Sequence, residues 1–368
     1  MPTRVGVTFH LFVAGEAGEA AGESAHGVPA GTMEMAMELR EFGRTGLKIS
    51  VLGFGCGSVG GLMVRGDPAD QEKAIARALE AGVNYFDTAV QYGNGESEKN
   101  LGRTFKKLKP AAAIVGTKVR LQGEEMGRIA DAVSASLDGS LRRLGMDRVD
   151  ILYLHNDVTQ AGGDGSLSIA QVLDEVAPAF DGIRRQGKAR FLGLTAIGET
   201  AALHRAIDAG VFDGAQVVYN MLNPSAATAI PASYPAQDYG RLFDRTRAAR
   251  VGVVGIRVLA GGALSGTAER HKVAGPPPAP IGTANTYDDD LARARRLMPL
   301  VEDGHAASLA EAATRFAISH PAMSVILVGM ATPQQFEQAL AAVRKGPLPQ
   351  AALNRLAALQ QGFAGEAQ

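Results

Sequence analysis

The sequence predicts an α/β fold of the (β/α)8 TIM-barrel type, with an N-terminal β-hairpin and an extra C-terminal helix. Three observations carry this. Eight short apolar runs alternate with stretches of helical periodicity over most of the chain. The runs are apolar throughout, as in strands buried on both faces of a parallel sheet. The first run opens into Gly53-Phe54-Gly55-Cys56-Gly57, which lacks the G-x-G-x-x-G order that leads straight into a helix. The alternative, an open doubly wound sheet, usually carries that order at its nucleotide site. Eight βα units in one uninterrupted domain are best served by closure.

The elements follow in order. Residues 39–50, with Gly43 and Gly46, read as the hairpin. Residues 50–57 form a buried strand and a glycine-rich loop where backbone can approach a ligand closely. Further strands are expected at 84–87, 111–117, 149–154, 191–194, 216–219, 251–256 and 325–328. Helices are expected at 68–81, 97–107, 126–144, 169–186, 199–209, within 237–250, and at 288–301, 308–320, 333–343 and 348–360. Gly93-Asn94-Gly95 is turn chemistry, and Glu96-Ser97-Glu98 puts acids where a helix begins and complements its dipole. Two connections are long, 156–168 and 261–288. The second holds Gly275-Pro276-Pro277-Pro278-Ala279-Pro280, and such loops are functional lids or partly disordered.

Composition narrows the function classes. The 368 residues are 46% hydrophobic and 20% charged, an ordinary globular balance. A net charge of −1 argues against nucleic acid or an anionic membrane as main partner. The single cysteine, Cys56, builds neither a disulfide framework nor a cysteine zinc site, and the histidines show no metal spacing, so no metal is expected. No apolar run approaches the roughly 18 residues of a membrane span. The apolar patch at 5–14 is broken by His10 and followed by a Gly-Glu-Ala repeat, a poor secretion signal. The expected organisation is therefore a disordered or mis-assigned extension over 1–36, a barrel over 37–362 and a flexible tail over 363–368. The expected protein is a cytoplasmic monomer acting on a small molecule.

In a barrel, strand ends converge on one face. The polar residues at those ends are Asp87, with Tyr92 five residues on, then Lys118, His155, Thr195, Gln216 with Tyr219 and Asn220, and Arg257. A phenol with a pKa of about 10 is a poor acid or base at neutral pH. An ammonium from Lys118 lowers that pKa, and Asp87 keeps Lys118 charged. His155 hydrogen-bonds the substrate oxygen or passes a proton. Each residue alone has a plainer reading: a buried ion pair for Asp87 and Lys118, a structural histidine, a surface tyrosine. Their occurrence at consecutive strand ends favours a proton-transfer group.

The stretch 39–343 resembles the aldo-keto reductase superfamily. Phe42-Gly43-Arg44-Thr45-Gly46-Leu47 through Gly55 is similar to the family's hairpin and first strand. Residues 81–92 resemble its most specific motif, Ile114-Val115-Gly116-Thr117-Lys118 and Ile151-Leu152-Tyr153-Leu154-His155 its lysine and histidine motifs, and residues 187–195 the segment before the fifth strand end. The resemblance implies a metal-free enzyme using NADP or NAD, with Asp87, Tyr92, Lys118 and His155 as catalytic tetrad. Tyr92 is then general acid in reduction and base in oxidation. It implies cofactor contacts at Gly57, Asp87, Thr195, Gln216, Ile256, Arg257, Leu259, Gly329 and Gln335, with Gln216 on the nicotinamide carboxamide.

Several positions depart from the pattern. Thr195-Ala196 stands for the usual Ser-Asn, and Ile256 for a stacking aromatic. Arg257 adds a charge suited to pyrophosphate or to an acidic substrate group. Gly329 and Gln335 replace basic residues that relatives use on the 2′-phosphate, which weakens discrimination for NADP. The expected reaction interconverts a carbonyl compound (aldehyde, ketone or sugar) and its alcohol. The alternatives are an NAD-preferring aldose or lactol dehydrogenase, a cofactor-sensing regulatory subunit, and a lyase or isomerase using Lys118 as a Schiff base.

Overall fold

The computed structural model describes residues 36–365. The expected extension over 1–36 lies outside the described residues except for Ala36. Strands β1 (Leu39–Glu41) and β2 (Lys48–Ser50) pair antiparallel, with Leu39 opposite Ser50. The barrel strands follow: β3 (Leu52–Gly55), β4 (Tyr85–Asp87), β5 (Ile114–Val119) and β6 (Val149–Leu154). Two short strands, β7 (Val158–Thr159) and β8 (Leu167–Ser168), pair within the next connection. The barrel then continues with β9 (Ala189–Ala196), β10 (Gly214–Val218), β11 (Gly252–Ile256) and β12 (Val325–Gly329). The ring closes in the order β10-β11-β12-β3-β4-β5-β6-β9, every pair parallel. The predicted (β/α)8 barrel is therefore present, with its hairpin and with the extra helix Gln350–Gln361. Among the described residues no helix is long and apolar enough to cross a membrane.

Two apolar layers hold the fold. The larger lies between strands and surrounding helices. The smaller fills the barrel with Phe42, Ile49, Tyr85, Ile114, Ile151, Tyr153, Val254 and Val325. Phe42, from the hairpin turn, closes the amino-terminal end. It fits because β10 and β11 both begin with glycine: a Cβ at Gly214 would lie 2.7 Å from its ring, and one at Gly252 2.5 Å. Arg44 fixes the hairpin from outside, donating to Asp213 at 3.0 Å and to the Phe212 carbonyl at 2.9 Å. Large and small residues thus interdigitate across the ring, as dense packing requires.

Several helices differ from the periodicity reading, and backbone chemistry explains each. The stretch 169–186 contains a π-helical turn at Val172–Val176 just before Pro178. Proline has no N–H for the regular ladder, and the wider turn absorbs the break. The helix expected over 288–301 divides into Tyr287–Arg295 and Pro299–Glu302 at another proline. Within 237–250 only Leu242–Ala248 is helical, because Gly240 and Arg241 both have positive φ. The flexible tail expected from residue 363 gives way at its first residue. Phe363 is fully buried, against Tyr234 and under Arg296, since an apolar ring there still finds the core's edge.

Candidate active site

Strand β4 ends at Asp87, and the chain then turns through Gly93, Asn94 and Gly95, all three with positive φ. Glycine and asparagine tolerate this conformation, which bulkier residues resist. The turn carries Tyr92 back over the barrel mouth and starts the helix Glu96–Leu108. That helix is locked from below. Buried Glu98 accepts from Thr117 of β5 at 2.6 Å and from Arg143 at 2.7 Å, while Ser97 donates to the Cys56 carbonyl at 2.9 Å. The loop bearing Tyr92 therefore rests on two neighbouring strand ends.

Asp87 is 2% exposed and Lys118 0%. Lys118 Nζ donates to Asp87 Oδ1 in a short ion pair and to the Thr88 carbonyl at 2.8 Å. The other carboxylate oxygen, Oδ2, accepts from Tyr85 Oη at 3.1 Å and from Gln216 Nε2 at 2.5 Å. Lys118 Nζ lies 4.7 Å from the Tyr92 ring centroid. The His155 ring meets Tyr92 edge-to-face at 5.9 Å, and its Nδ1 lies 3.2 Å from Gln91 Oε1. The orientation of the Gln91 amide therefore decides which imidazole nitrogen carries the proton. Asp87, Tyr92, Lys118 and His155, separate in sequence, share one site.

Electrostatics at this site correct one expectation. The Lys118 ammonium does pull the Tyr92 pKa down, but burial outweighs it and the Asp87 charge adds to burial. The net shift is upward from the ordinary phenol value, not downward. Burial works against the charge on Lys118, yet Asp87 and Tyr92 together overcome it and raise its pKa. A lysine held charged in this way is not the neutral amine that a Schiff base needs. Burial first, then Lys118 and Arg120, push His155 down to about 3. It is neutral at physiological pH. Cys56 is buried and its thiol pushed up, so it is not a poised nucleophile.

The remaining candidates divide by position. Gln216 and Thr195 are each 2% exposed, and Thr195 Oγ1 donates to Gln216 Oε1 at 3.4 Å. Both ends of the Gln216 amide are thus engaged, one of them with Asp87. Gly57 is open: a Cβ there would meet only the Tyr92 ring, at 3.9 Å. Ile256 is partly buried at the top of β11 and Leu259 packs on the outer core, while Arg257 between them is half-buried with φ 56. Gly329 is exposed at the end of β12, and the Gln335 side chain accepts from the Ala331 N–H at 2.7 Å. Of the long connections, 156–168 is pinned by Asn156, whose amide bonds Leu121 through both its N–H and C=O. The other crosses the mouth toward the loop after β3, where Arg65 bonds the Val273 and Ser58 carbonyls and Arg270 those of Gly275 and Gly261.

Sequence reasoning missed Tyr85, Gln91 and Arg120. A signal for two of them existed. Tyr85 precedes Asp87 by two residues and Arg120 follows Lys118 by two, and in a strand that spacing keeps side chains on one face.

The comparisons decide the lineage. A profile of the aldo/keto reductase family matches residues 51–361. The chain belongs to this family. Pyridoxal 4-dehydrogenase from Microbacterium luteolum is 28% identical over 343 residues, 82% of this chain and 92% of that protein. L-Galactose dehydrogenase from Arabidopsis thaliana is 38% identical over 166 residues, 44% of this chain, and the match spans about half (49%) of the plant protein. Among solved structures, the holo form of aldo-keto reductase AKR11C1 from Bacillus halodurans superposes with a TM-score of 0.65 at 23% identity. The match covers 90% of this chain and 98% of that one. At that identity the likeness speaks for the fold. Its barrel agrees with the closed ring found here. As an aldo/keto reductase, the chain is an oxidoreductase by family.

Proposed function

We propose that the protein interconverts a carbonyl compound and its alcohol by NAD(P)-dependent hydride transfer, with Tyr92 as general acid and base. The observation that carries this reading is the Tyr92 ring over the Lys118 ammonium at 4.7 Å, with Lys118 paired to Asp87 and His155 at the ring's edge. The residues at the mouth fit a nicotinamide cofactor: Gly57 leaves room beside Tyr92, and Ile256 offers an apolar face. Bound there, the cofactor supplies or accepts the hydride.

The chain's own residues handle the proton. Tyr92, protonated at neutral pH, donates to the carbonyl oxygen in reduction and takes the proton back in oxidation. Lys118 stabilises negative charge that develops on the phenolic oxygen. Asp87, fixed by Tyr85 and Gln216, holds Lys118 in place. Neutral His155 orients the substrate oxygen by hydrogen bonding. Neither Gly329 nor Gln335 offers a charge to a 2′-phosphate, so we assign the protein to NAD(P) without strong selection for NADP. The relatives named above are both called dehydrogenases, which favours oxidation of an alcohol or sugar as a second reading.

Two measurements test this. Parallel titrations with NADH and NADPH, followed by reduced-cofactor fluorescence, are expected to give binding of both with dissociation constants within about tenfold of each other, less than a typical charge-assisted contact would produce. Binding of neither would remove the oxidoreductase reading. The pH profile is the second. With the Tyr92 pKa above its ordinary value, reduction keeps its active, protonated form through neutral pH and shows no falling limb below about pH 9, whereas oxidation rises roughly tenfold per pH unit below that pKa. With His155 held down at about 3, neither direction shows a histidine limb between about pH 5 and 8. A bell centred near pH 6.5 would contradict the assignment.

A further inference from the structure

We propose that Arg257 binds an anionic group of the substrate, a carboxylate or a phosphate, and that Arg120 on the far side of the mouth draws acidic carbonyl compounds in. The proposal rests on the oxidoreductase reading above and resolves which role Arg257 takes. Arg257 follows β11 and Arg120 follows β5, and in the ring of eight these strands are diametrically opposed. Tyr92 and His155 come from the ends of β4 and β6, the two neighbours of β5. The two guanidiniums therefore bracket the reacting pair.

Neither cation forms an ion pair among the described residues. Among the described residues the Arg120 side chain makes no hydrogen bond or ion pair, and it is exposed. Arg257 is half-buried, and its guanidinium makes a single long bond, Nη1 to the Ala279 carbonyl at 3.4 Å. A guanidinium carries five donors, and this exposed bond occupies only one of them. Its backbone is held as well: φ is 56, a left-handed value unfavourable for arginine, and Asn220 Nδ2 clamps its carbonyl at 2.9 Å. Arg257 thus sets a half-buried cation, on strained backbone, at a strand end with most of its donors uncommitted among the described residues.

A second unsatisfied donor lies beside it. Tyr239 is fully buried, and among the described residues its hydroxyl has no hydrogen-bond partner. That hydroxyl sits against Gly282, where a Cβ would come within 2.6 Å, so Arg257 and Tyr239 touch the same 279–282 segment. Electrostatics agree with the placement. Burial lowers the Arg257 pKa, and the charges that Tyr92, Asp290 and Tyr239 can carry act against that shift. Tyr239 in turn feels Asp157 and Arg257. Asp290 is already bound by Thr283 and Arg293. Among the described residues, two guanidiniums without an ion pair and a phenol without a partner face one carboxylate without an ion pair, Asp157, and this balance favours an anion over a neutral polyol. Arg65 and Arg270 bond backbone carbonyls instead.

The test compares the wild type with Arg257→Met, Arg257→Lys and Arg120→Met. Succinate and inorganic phosphate are titrated calorimetrically into each protein saturated with oxidised cofactor, and kcat/KM is measured for succinic semialdehyde and glyceraldehyde 3-phosphate against neutral butanal and glyceraldehyde. The wild type is expected to prefer the acidic member of at least one pair by about 30-fold, the effect of a charge-assisted contact. In Arg257→Met that preference falls to near unity through KM, and the matching anion binds about tenfold or more weakly, while cofactor affinity holds. Arg257→Lys retains part of both, and Arg120→Met gives a smaller, salt-sensitive rise in KM. The pair that responds separates carboxylate from phosphate. Wild-type preference for the neutral members, or anion binding indifferent to Arg257, overturns the proposal. So does a loss of cofactor affinity with an unchanged substrate ratio, which would assign Arg257 to pyrophosphate. Arg257-dependent anion binding without turnover of any substrate would keep the subsite and remove the oxidoreductase reading instead.

Discussion

Tyr92→Phe lowers kcat by about 10²–10⁴-fold, the contribution of a positioned general acid, with cofactor affinity nearly unchanged. The substitution removes one oxygen. The ring that remains still lies over the Lys118 ammonium, and the cation–π contact at 4.7 Å survives the change. The loop that carries residue 92 is fixed by its own turn and by the helix beneath it, through Glu98, Thr117 and Ser97, so the backbone has no reason to move. Thermal stability is expected to stay close to that of the wild type. The readouts are single-turnover rates with saturating cofactor, beside fluorescence titration for binding. A Tyr92→Phe protein that keeps more than about a tenth of the wild-type rate would show that another group moves the proton.

Lys118→Met is the second large effect, and it falls on stability as well as activity. Lys118 is the only cation that pairs with buried Asp87 among the described residues. Without it the carboxylate keeps Tyr85 and Gln216 as donors but loses its countercharge. Breaking a buried pair from one side typically costs about 3–5 kcal/mol. The expected result is a fall of that size in unfolding free energy by denaturant titration, together with loss of turnover. The double variant Lys118→Met/Asp87→Asn removes both charges and recovers most of the stability, because the uncompensated carboxylate is gone. It recovers no activity, because the phenol no longer has an ammonium beside it. Equal stability of the single and double variants would mean that Tyr85 and Gln216 alone suffice to hold Asp87 charged.

Much of this site was legible one residue at a time. Asp87, Lys118 and His155 each terminate an apolar run, and a run buried on both faces ends where its first polar side chain reaches solvent or a site. Tyr92 was legible from the Gly-Asn-Gly turn after it. The helix boundaries failed where backbone chemistry overrode periodicity, at Pro178, at Pro299 and at the positive-φ pair Gly240 and Arg241. Phe363 failed for another reason: a lone aromatic after a helix carries no period, and whether it packs depends on what surface lies beneath it.

The sequence by itself determined the eight-unit barrel, its hairpin and the polar residues at the strand ends, because all of these are written in local periodicity and turn chemistry. Only the tertiary structure decided how those residues act on one another. Gln216 reaches Asp87 across the barrel, although the two are 129 positions apart. Arg120 and Arg257 stand opposite each other because the ring closes. The Tyr92 pKa moves up because burial exceeds the pull of Lys118. Depth, distance and dielectric are properties of the packed chain, and they set the sign of an interaction whose participants the sequence can only name.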